Sequence, residues 1–229
     1  MSNPQLKITQ DGSHTMYVPE IDECYHSTHG AVQESEHIFI KDGFRTCMED
    51  TIHVLEIGFG TGLNAFLTLL EAQHQNKHVY YTAIELYPVE TEKAVLLNYP
   101  ELTESEKRTE FERIHTSVWN EWQAITPFFQ LKKLNDDFTR INLTEKYDVI
   151  YFDAFSPEKQ PEMWAEYLFK KLYLCAEKKA ILTTYCCKGT VKRALKAAGF
   201  SIEKLPGPAG KREILRAIKK GEDGDYGIV

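Results

Sequence analysis

Three groups of residues in this 229-residue chain have types and spacings suited to chemistry. The first is Gly58-Phe59-Gly60-Thr61-Gly62, which follows the apolar run Ile52–Ile57 and precedes a helical pattern of Leu63, Phe66, Leu67 and Leu70. A strand that enters a helix through alternating glycines can bend sharply and approach a ligand with no Cβ in the way. It also leaves free N–H groups at the helix N-terminus. The spacing is Gly-x-Gly-x-Gly, not the Gly-x-Gly-x-x-Gly of dinucleotide sites. The second is Glu85, at the carboxyl end of the strand-like run Val79–Ile84 and 27 residues after Gly58. In an open α/β sheet that end faces the ligand crevice, where a carboxylate can accept both hydroxyls of a ribose. The third is Asp153, which ends the run Tyr147–Phe152 and precedes Ala154-Phe155-Ser156-Pro157.

With Glu56 before it, the glycine turn resembles motif I of methyltransferases that use S-adenosyl-L-methionine (SAM). Asp153 would then face the crevice beside the sulfonium, where a carboxylate can bind an amine and orient its lone pair toward the methyl group. Such a transfer is an in-line displacement governed by positioning and electrostatics. An ammonium has no free lone pair, so Asp153 either takes its proton, directly or through water, or holds the neutral amine. The structural alternatives are a tight strand-to-helix turn without ligand and a loop-capping Asp ahead of Phe-Ser-Pro.

These residues need strands that end together. The chain alternates from residue 51 onward: strand 52–57, helix 62–74, strand 79–85, helix 88–98. A longer helical stretch at 103–134 is interrupted by strand-like Phe111–His115 and by Pro127. Residues 135–146 read as loop. Strand 147–152, helix 161–176, strand 180–185, helix 189–198 and a closing hairpin at 201–219 follow. The expected fold is an α/β, Rossmann-like methyltransferase sheet with helices on both faces over residues 51–229. Residues 1–50 form a small extension packed on it: a β-hairpin around Asp11-Gly12, a polar loop from Tyr25 to Ala31, and a short helix to about Phe39.

Composition narrows the setting. No apolar stretch reaches the ~20 residues of a membrane span, and the N-terminus lacks the apolar core of a signal peptide. Five cysteines in irregular positions form neither a disulfide framework nor a zinc pattern, so a cytoplasmic chain without metal is expected. The net charge of −7 hides an asymmetry. Residues 168–220 hold 14 Lys/Arg against 3 Asp/Glu; the rest holds 13 against 31. The basic third is either a surface facing a polyanion or a solvated helix face carrying Lys192, Arg193 and Lys196.

The motifs appear in a distinctive order. Gly58-Phe59-Gly60-Thr61-Gly62-Leu63-Asn64, Glu85-Leu86-Tyr87-Pro88 and Asp153-Ala154-Phe155-Ser156-Pro157 are followed by Pro161-Glu162-Met163-Trp164, Leu168-Phe169, Ala198-Gly199-Phe200 and Gly210-Lys211-Arg212-Glu213. From about residue 20 to 219 the chain resembles the methyltransferase half of the bifunctional tRNA enzyme MnmC and its stand-alone counterparts, MnmD. The resemblance implies methylation, with SAM, of the exocyclic amine of 5-aminomethyl(-2-thio)uridine at the tRNA wobble position. It further implies that Glu56, Gly58, Phe59, Gly60, Thr61, Gly62 and Asn64 shape the methionine side of the SAM site. Glu85 would hold the ribose and Asp153 would face the amine. Tyr25, Ser27 and Gly30 match an early loop that closes over the substrate, beside Phe155. Where the family often shows Gly-Asp for adenine, the equivalent stretch reads Thr116-Ser117-Val118-Trp119, so the adenine amine would rely on Ser117 or backbone groups and stacking on Val118 or Trp119. Lys192, Arg193 and Arg212 are the expected contacts to the anticodon arm. The bifunctional enzymes continue into a flavin-dependent oxidase; no second nucleotide motif follows here, so no FAD is expected and other enzymes would make the aminomethyl substrate.

Cys186-Cys187 lacks the Pro-Cys context of pyrimidine C5 chemistry, and an amine needs no covalent activation, so a buried structural role is expected. The main rival is a small-amine transferase resembling spermidine synthase, which shares the glycine loop, ribose acid and strand-end Asp. It is disfavoured because Asp153 has no neighbouring acid in its loop and the C-terminal third would repel a polyamine. A non-catalytic nucleotide-binding module is disfavoured by the presence of all three groups together.

Overall fold

The computed structural model describes residues 4–221. Its first part is a three-stranded antiparallel sheet: β1 (Gln5–Ile8), β2 (His14–Val18) and β3 (Glu23–Cys24). The β1–β2 hairpin turns at Asp11-Gly12 as expected, and Asp11 Oδ1 accepts the N–H of Ser13 at 2.9 Å. Helix α1 (Ala31–Ser35) continues as a wider π-helical stretch through Glu36–Lys41.

Strand β4 (Thr51–Ile57), helix α2 (Leu63–Gln75) and strand β5 (His78–Ile84) follow the expected alternation. The next helix is shorter than expected: α3 covers only Thr91–Ala94, and α4 (Tyr99–Leu102) begins separately. Two residues cause the break. Pro100 cannot supply the amide that a continuous helix needs there. Asn98 bonds the N-terminal hairpin, accepting from His14 N at 2.8 Å and donating to Gly12 O at 2.9 Å.

Phe111–His115 is helical, not strand-like. It lies inside α5 (Arg108–Thr116), where Phe111, Ile114 and His115 are buried at helical spacing. The helical reading of the residues beyond it is also corrected. β6 (Trp122–Thr126) and β7 (Phe129–Leu134) form an antiparallel hairpin with Pro127 in its turn. Along β7, Phe129, Leu131 and Lys133 are buried and alternate with partly exposed residues, a period of two. Strand β8 (Tyr147–Phe152), helix α6 (Glu166–Cys175, after a 3₁₀ turn at Pro161–Trp164), strand β9 (Ala176–Thr184), helix α7 (Gly189–Ala198) and the hairpin β10 (Ser201–Pro206)–β11 (Glu213–Ile218) complete the chain.

The main sheet has eight strands in the order β10-β11-β9-β8-β4-β5-β7-β6. β9, β8, β4, β5 and β7 are mutually parallel; β6 and β11 run against their neighbours. The winding reverses between β4 and β8, the switch point at which open α/β sheets open a crevice at the strands' carboxyl ends. Both faces are covered, which is why the parallel strands read as nearly continuous apolar runs. Val54 and Tyr81 bury against α2, α5 and the 31–47 segment, whereas Leu55, Ile57 and Phe152 bury against α6 and α7. Among the described residues no helix is long and apolar enough to cross a membrane.

Candidate functional site

Strand ends are stitched at the crevice by bonds that prolong the sheet. Gly58 N donates to Ile84 O, Asp153 N to Ile57 O and Glu85 N to Leu134 O, each at 3.0 Å. The turn after β4 has left-handed backbone at Gly58 (φ 90°) and Gly60 (φ 50°). A Cβ at Gly58 would lie 2.6 Å from Asp153 O, and one at Gly60 would lie 2.8 Å from the Tyr25 ring. Neither position admits a side chain, so the loop presents bare backbone. Glu85 fastens it: its Oε2 accepts Gly60 N–H at 3.0 Å and its Oε1 accepts Tyr87 N–H at 2.9 Å. Burial pushes the Glu85 carboxyl upward, and those N–H bonds oppose the push.

Behind the loop, one amide joins two carboxyls. Strand alternation turns Glu56 toward α2, where it is 0% exposed. Asn64, in the first turn of α2, donates through Nδ2 to Glu56 Oε1 at 2.9 Å and to Asp153 Oδ2 at 2.8 Å. Burial drives Glu56 well above the usual carboxylate range, and the Asn64 bond opposes this. Burial also pushes Asp153 up, to about 7; the Asn64 bond opposes this, the Glu34 carboxylate adds to it and Lys211 opposes it. A carboxyl that exchanges its proton near neutrality is suited to general-base work.

The N-terminal residues supply the other wall. The Tyr25 ring lies 5.1 Å from that of Phe155, and His26 Nε2 shares a 2.6 Å hydrogen bond with Thr61 Oγ1. Ser27 N donates to Glu34 Oε2 at 2.9 Å, and Ser156 Oγ donates to Glu23 Oε2 at 3.1 Å. This stretch is closed against the β10–β11 turn. A Cβ on Gly210 would lie 2.1 Å from the His29 ring, Lys211 Nζ lies 3.1 Å from Glu34 Oε1, and His37 Nε2 bonds Pro206 O at 2.8 Å. The cavity between these walls measures about 830 Å³.

Of the residues expected from sequence, Tyr25, Ser27, Gly58, Gly60, Glu85, Asp153 and Phe155 line this cavity together. Glu56, Phe59, Thr61, Gly62 and Asn64 lie behind it as support; Phe59 packs on His115 and Trp119. Gly30 is buried beneath the loop, where a Cβ would meet Asp11. Ser117 and Val118 are misplaced. Ser117 Oγ donates to Ile114 O at 2.8 Å, Val118 is 56% exposed, and neither lines the cavity. The cause is the misread strand: the neighbour of β5 is β7, so the third strand end belongs to residues 135–138, and Asp136, Asp137 and Phe138 line the cavity instead. The acid pair after the alternating run Phe129–Leu134 was the available signal. Lys192, Arg193 and Arg212 also stand outside the lining, whereas Lys211 enters it. Glu23 and Glu34 had no local signal; they come from outside the Asp153 loop and line the same cavity.

A family model described as S-adenosyl-L-methionine-dependent methyltransferase matches residues 90–220. The chain is 32% identical over 235 residues to the tRNA 5-methylaminomethyl-2-thiouridine biosynthesis bifunctional protein MnmC of Burkholderia pseudomallei, with 92% of this chain and 34% of that protein covered. It thus spans about a third of the length of the curated relatives it matches. Among solved structures, MnmC2 from Aquifex aeolicus superposes with a TM-score of 0.78 at 25% identity, covering 96% of this chain and 71% of that one. DesVI of Streptomyces venezuelae gives a TM-score of 0.50 at 11% identity, covering 82% and 91%, a likeness of fold alone.

Proposed function

The chain belongs to the family of S-adenosyl-L-methionine-dependent methyltransferases, and from that premise we propose that it methylates the amine of 5-aminomethyl(-2-thio)uridine at the wobble position of tRNA, giving 5-methylaminomethyl(-2-thio)uridine. The observation that carries this reading is Asp153, a carboxyl near neutrality held by Asn64 at the switch point, inside a cavity large enough for cofactor and nucleoside. The similarity to MnmC and MnmC2 supplies the substrate class.

The residues present fit SAM. Gly58 and Gly60, where no Cβ can be placed, would meet its methionine end; Glu85 would hold the ribose; Asp136 and Phe138 would meet the adenine. When bound, SAM supplies a methyl group on a positively charged sulfur: the N–C bond forms as the C–S bond breaks, and sulfur keeps that electron pair. Asp153 takes the proton that an arriving ammonium must lose, and passes it to water. Tyr25 and Phe155 flank the entering uracil and exclude water from the amine. Asn64 fixes Asp153, and Glu56 keeps Asn64 in place. In this reading residues 1–50 serve as extension and lid on the 51–229 methyltransferase unit. Lys192, Arg193 and Arg212 grip the anticodon arm of tRNA in the cytoplasm, and other enzymes make the aminomethyl group.

One observation favours a second reading. Glu23 and Glu34, lining the cavity with Asp153, give it the several carboxylates that a small polyamine would seek. Incubating the protein with labelled SAM and either tRNA carrying 5-aminomethyluridine or a panel of small diamines separates the two. Label on the diamines and none on the tRNA would reject the tRNA reading.

A further inference from the structure

The amine end of the cavity carries more negative charge than Asp153 alone supplies. Glu34 is buried; its Oε2 accepts Ser27 N–H at 2.9 Å, and its Oε1 makes no hydrogen bond and has Lys211 Nζ at 3.1 Å. Lys211 reaches in from the β10–β11 turn and lies 4.9 Å from the centre of the Tyr185 ring. Tyr185 in turn donates its hydroxyl to Ala154 O, next to Asp153, at 2.9 Å. Glu23 and Glu34 line the same cavity as Asp153 and Tyr185. Lys211 is their counter-charge. The other cations of the lining are engaged elsewhere, Lys7 over the Tyr17 ring and Arg140 against Asp137.

We propose that Glu34 is a specificity-determining residue: with Asp153 it makes the amine subsite accept a simple primary amine and reject one whose substituent carries a carboxylate, and Lys211 sets how strict the rejection is. The inference rests on the proposed amine-methylating function and names a property of the same site. Discrimination of this kind comes from a repulsive element built against the wrong ligand, not from a better fit to the right one. In a half-buried site a second carboxylate close to Glu34 and Asp153 meets weakly screened like charge. A primary ammonium meets attraction from the same groups.

The test measures kcat/KM for methyl transfer to tRNA carrying 5-aminomethyluridine and to the same tRNA carrying its N-carboxymethyl derivative. Glu34→Gln keeps the acceptor for Ser27 N–H and removes the charge; it should lower the ratio of the two by about tenfold or more. Lys211→Met leaves Glu34 without its counter-ion and should raise the ratio, and Glu34→Asp should restore most of the wild-type value. A merely structural role for Glu34 would lower both rates together and leave the ratio unmoved. Wild-type activity on the aminomethyl tRNA with an unchanged ratio in folded Glu34→Gln and Lys211→Met overturns this inference alone. Absence of any wild-type activity on that tRNA removes the functional reading and this inference with it. Should Glu34→Gln fail to fold, Lys211→Met decides by the direction of its change.

Discussion

Asp153→Asn should make this protein more stable and less active, and pH should separate the two effects. The substitution keeps the side chain's size and its oxygen toward Asn64 while removing the titration. In the folded protein Asp153 protonates near 7, against 3.8 for an ordinary aspartate. Between those values the folded chain holds a proton that the unfolded chain has lost, so wild-type stability falls as pH rises from about 4 through about 7. Each tenfold in proton affinity corresponds to about 1.4 kcal/mol, which makes the full penalty at pH 8.5 at most about 4 kcal/mol. Asparagine carries no such penalty. Urea unfolding of the two ligand-free proteins should therefore give nearly equal stabilities at pH 4, and a gap in favour of Asp153→Asn that widens up to pH 8. Methyl transfer should move the other way, with kcat rising through a step near pH 7 in the wild type and the variant lower by about 10²-fold or more with no such step. SAM affinity by calorimetry should change little. A stability gap that is constant with pH, or that narrows as pH rises, would refute the assignment of a raised, functionally used carboxyl at this position.

Gly60→Val puts a branched side chain at φ 50° and against the Tyr25 ring; calorimetry should detect no SAM binding to a protein whose circular dichroism is largely native. Asp136→Ala removes a cavity-lining acid at the end of β7 and should weaken SAM by about tenfold, whereas Ser117→Ala and Val118→Ala, outside the lining, should leave the dissociation constant unchanged in the same titration. Replacing Lys192, Arg193 and Lys196 by Ala should weaken tRNA binding without altering SAM affinity. It should also flatten the slope of log K against log salt by roughly 0.7 for each phosphate no longer neutralised; tight binding at every salt concentration would make α7 a solvated face.

What could be read from sequence followed the strength of the local pattern. The parallel strands announced themselves because burial on both faces leaves nearly unbroken apolar runs, and α7 was bounded correctly by its own chemistry, with Gly199 left-handed (φ 110°) just past its end. The glycine turn, Glu85 and Asp153 were legible because each lies at the end of such a strand. The 111–134 region was not. Only Phe111 and His115 of the helically spaced Phe111, Ile114 and His115 also fit a period of two, and β7 hides its alternation by burying a lysine. Lys133 is only 1% exposed because its ammonium donates to His115 O at 2.8 Å and sits 4.8 Å from the Trp119 ring. That compensation is tertiary and has no sequence signature, so the strand end at residues 135–138 was not legible. Glu34 and Lys211 were illegible for a different reason: 177 residues separate them, and neither sits in a motif with the other.

The clasp between the 29–37 segment and the β10–β11 turn also bears on when the site comes into being. A growing chain emerges at about 5–20 residues per second, N-terminus first. His29, Glu34 and His37 are therefore made long before Gly210, Lys211 and Pro206, the groups that receive them. The core between α2 and the 31–47 segment can form early from contacts already available. The wall that carries Lys211 is delivered after every parallel strand has been made. A chain stalled before the β10–β11 hairpin would hold the glycine loop, Glu85 and Asp153 while the cavity stood open on one side. Synthesis of the β10–β11 hairpin, more than compaction, is the event that closes this side of the cavity.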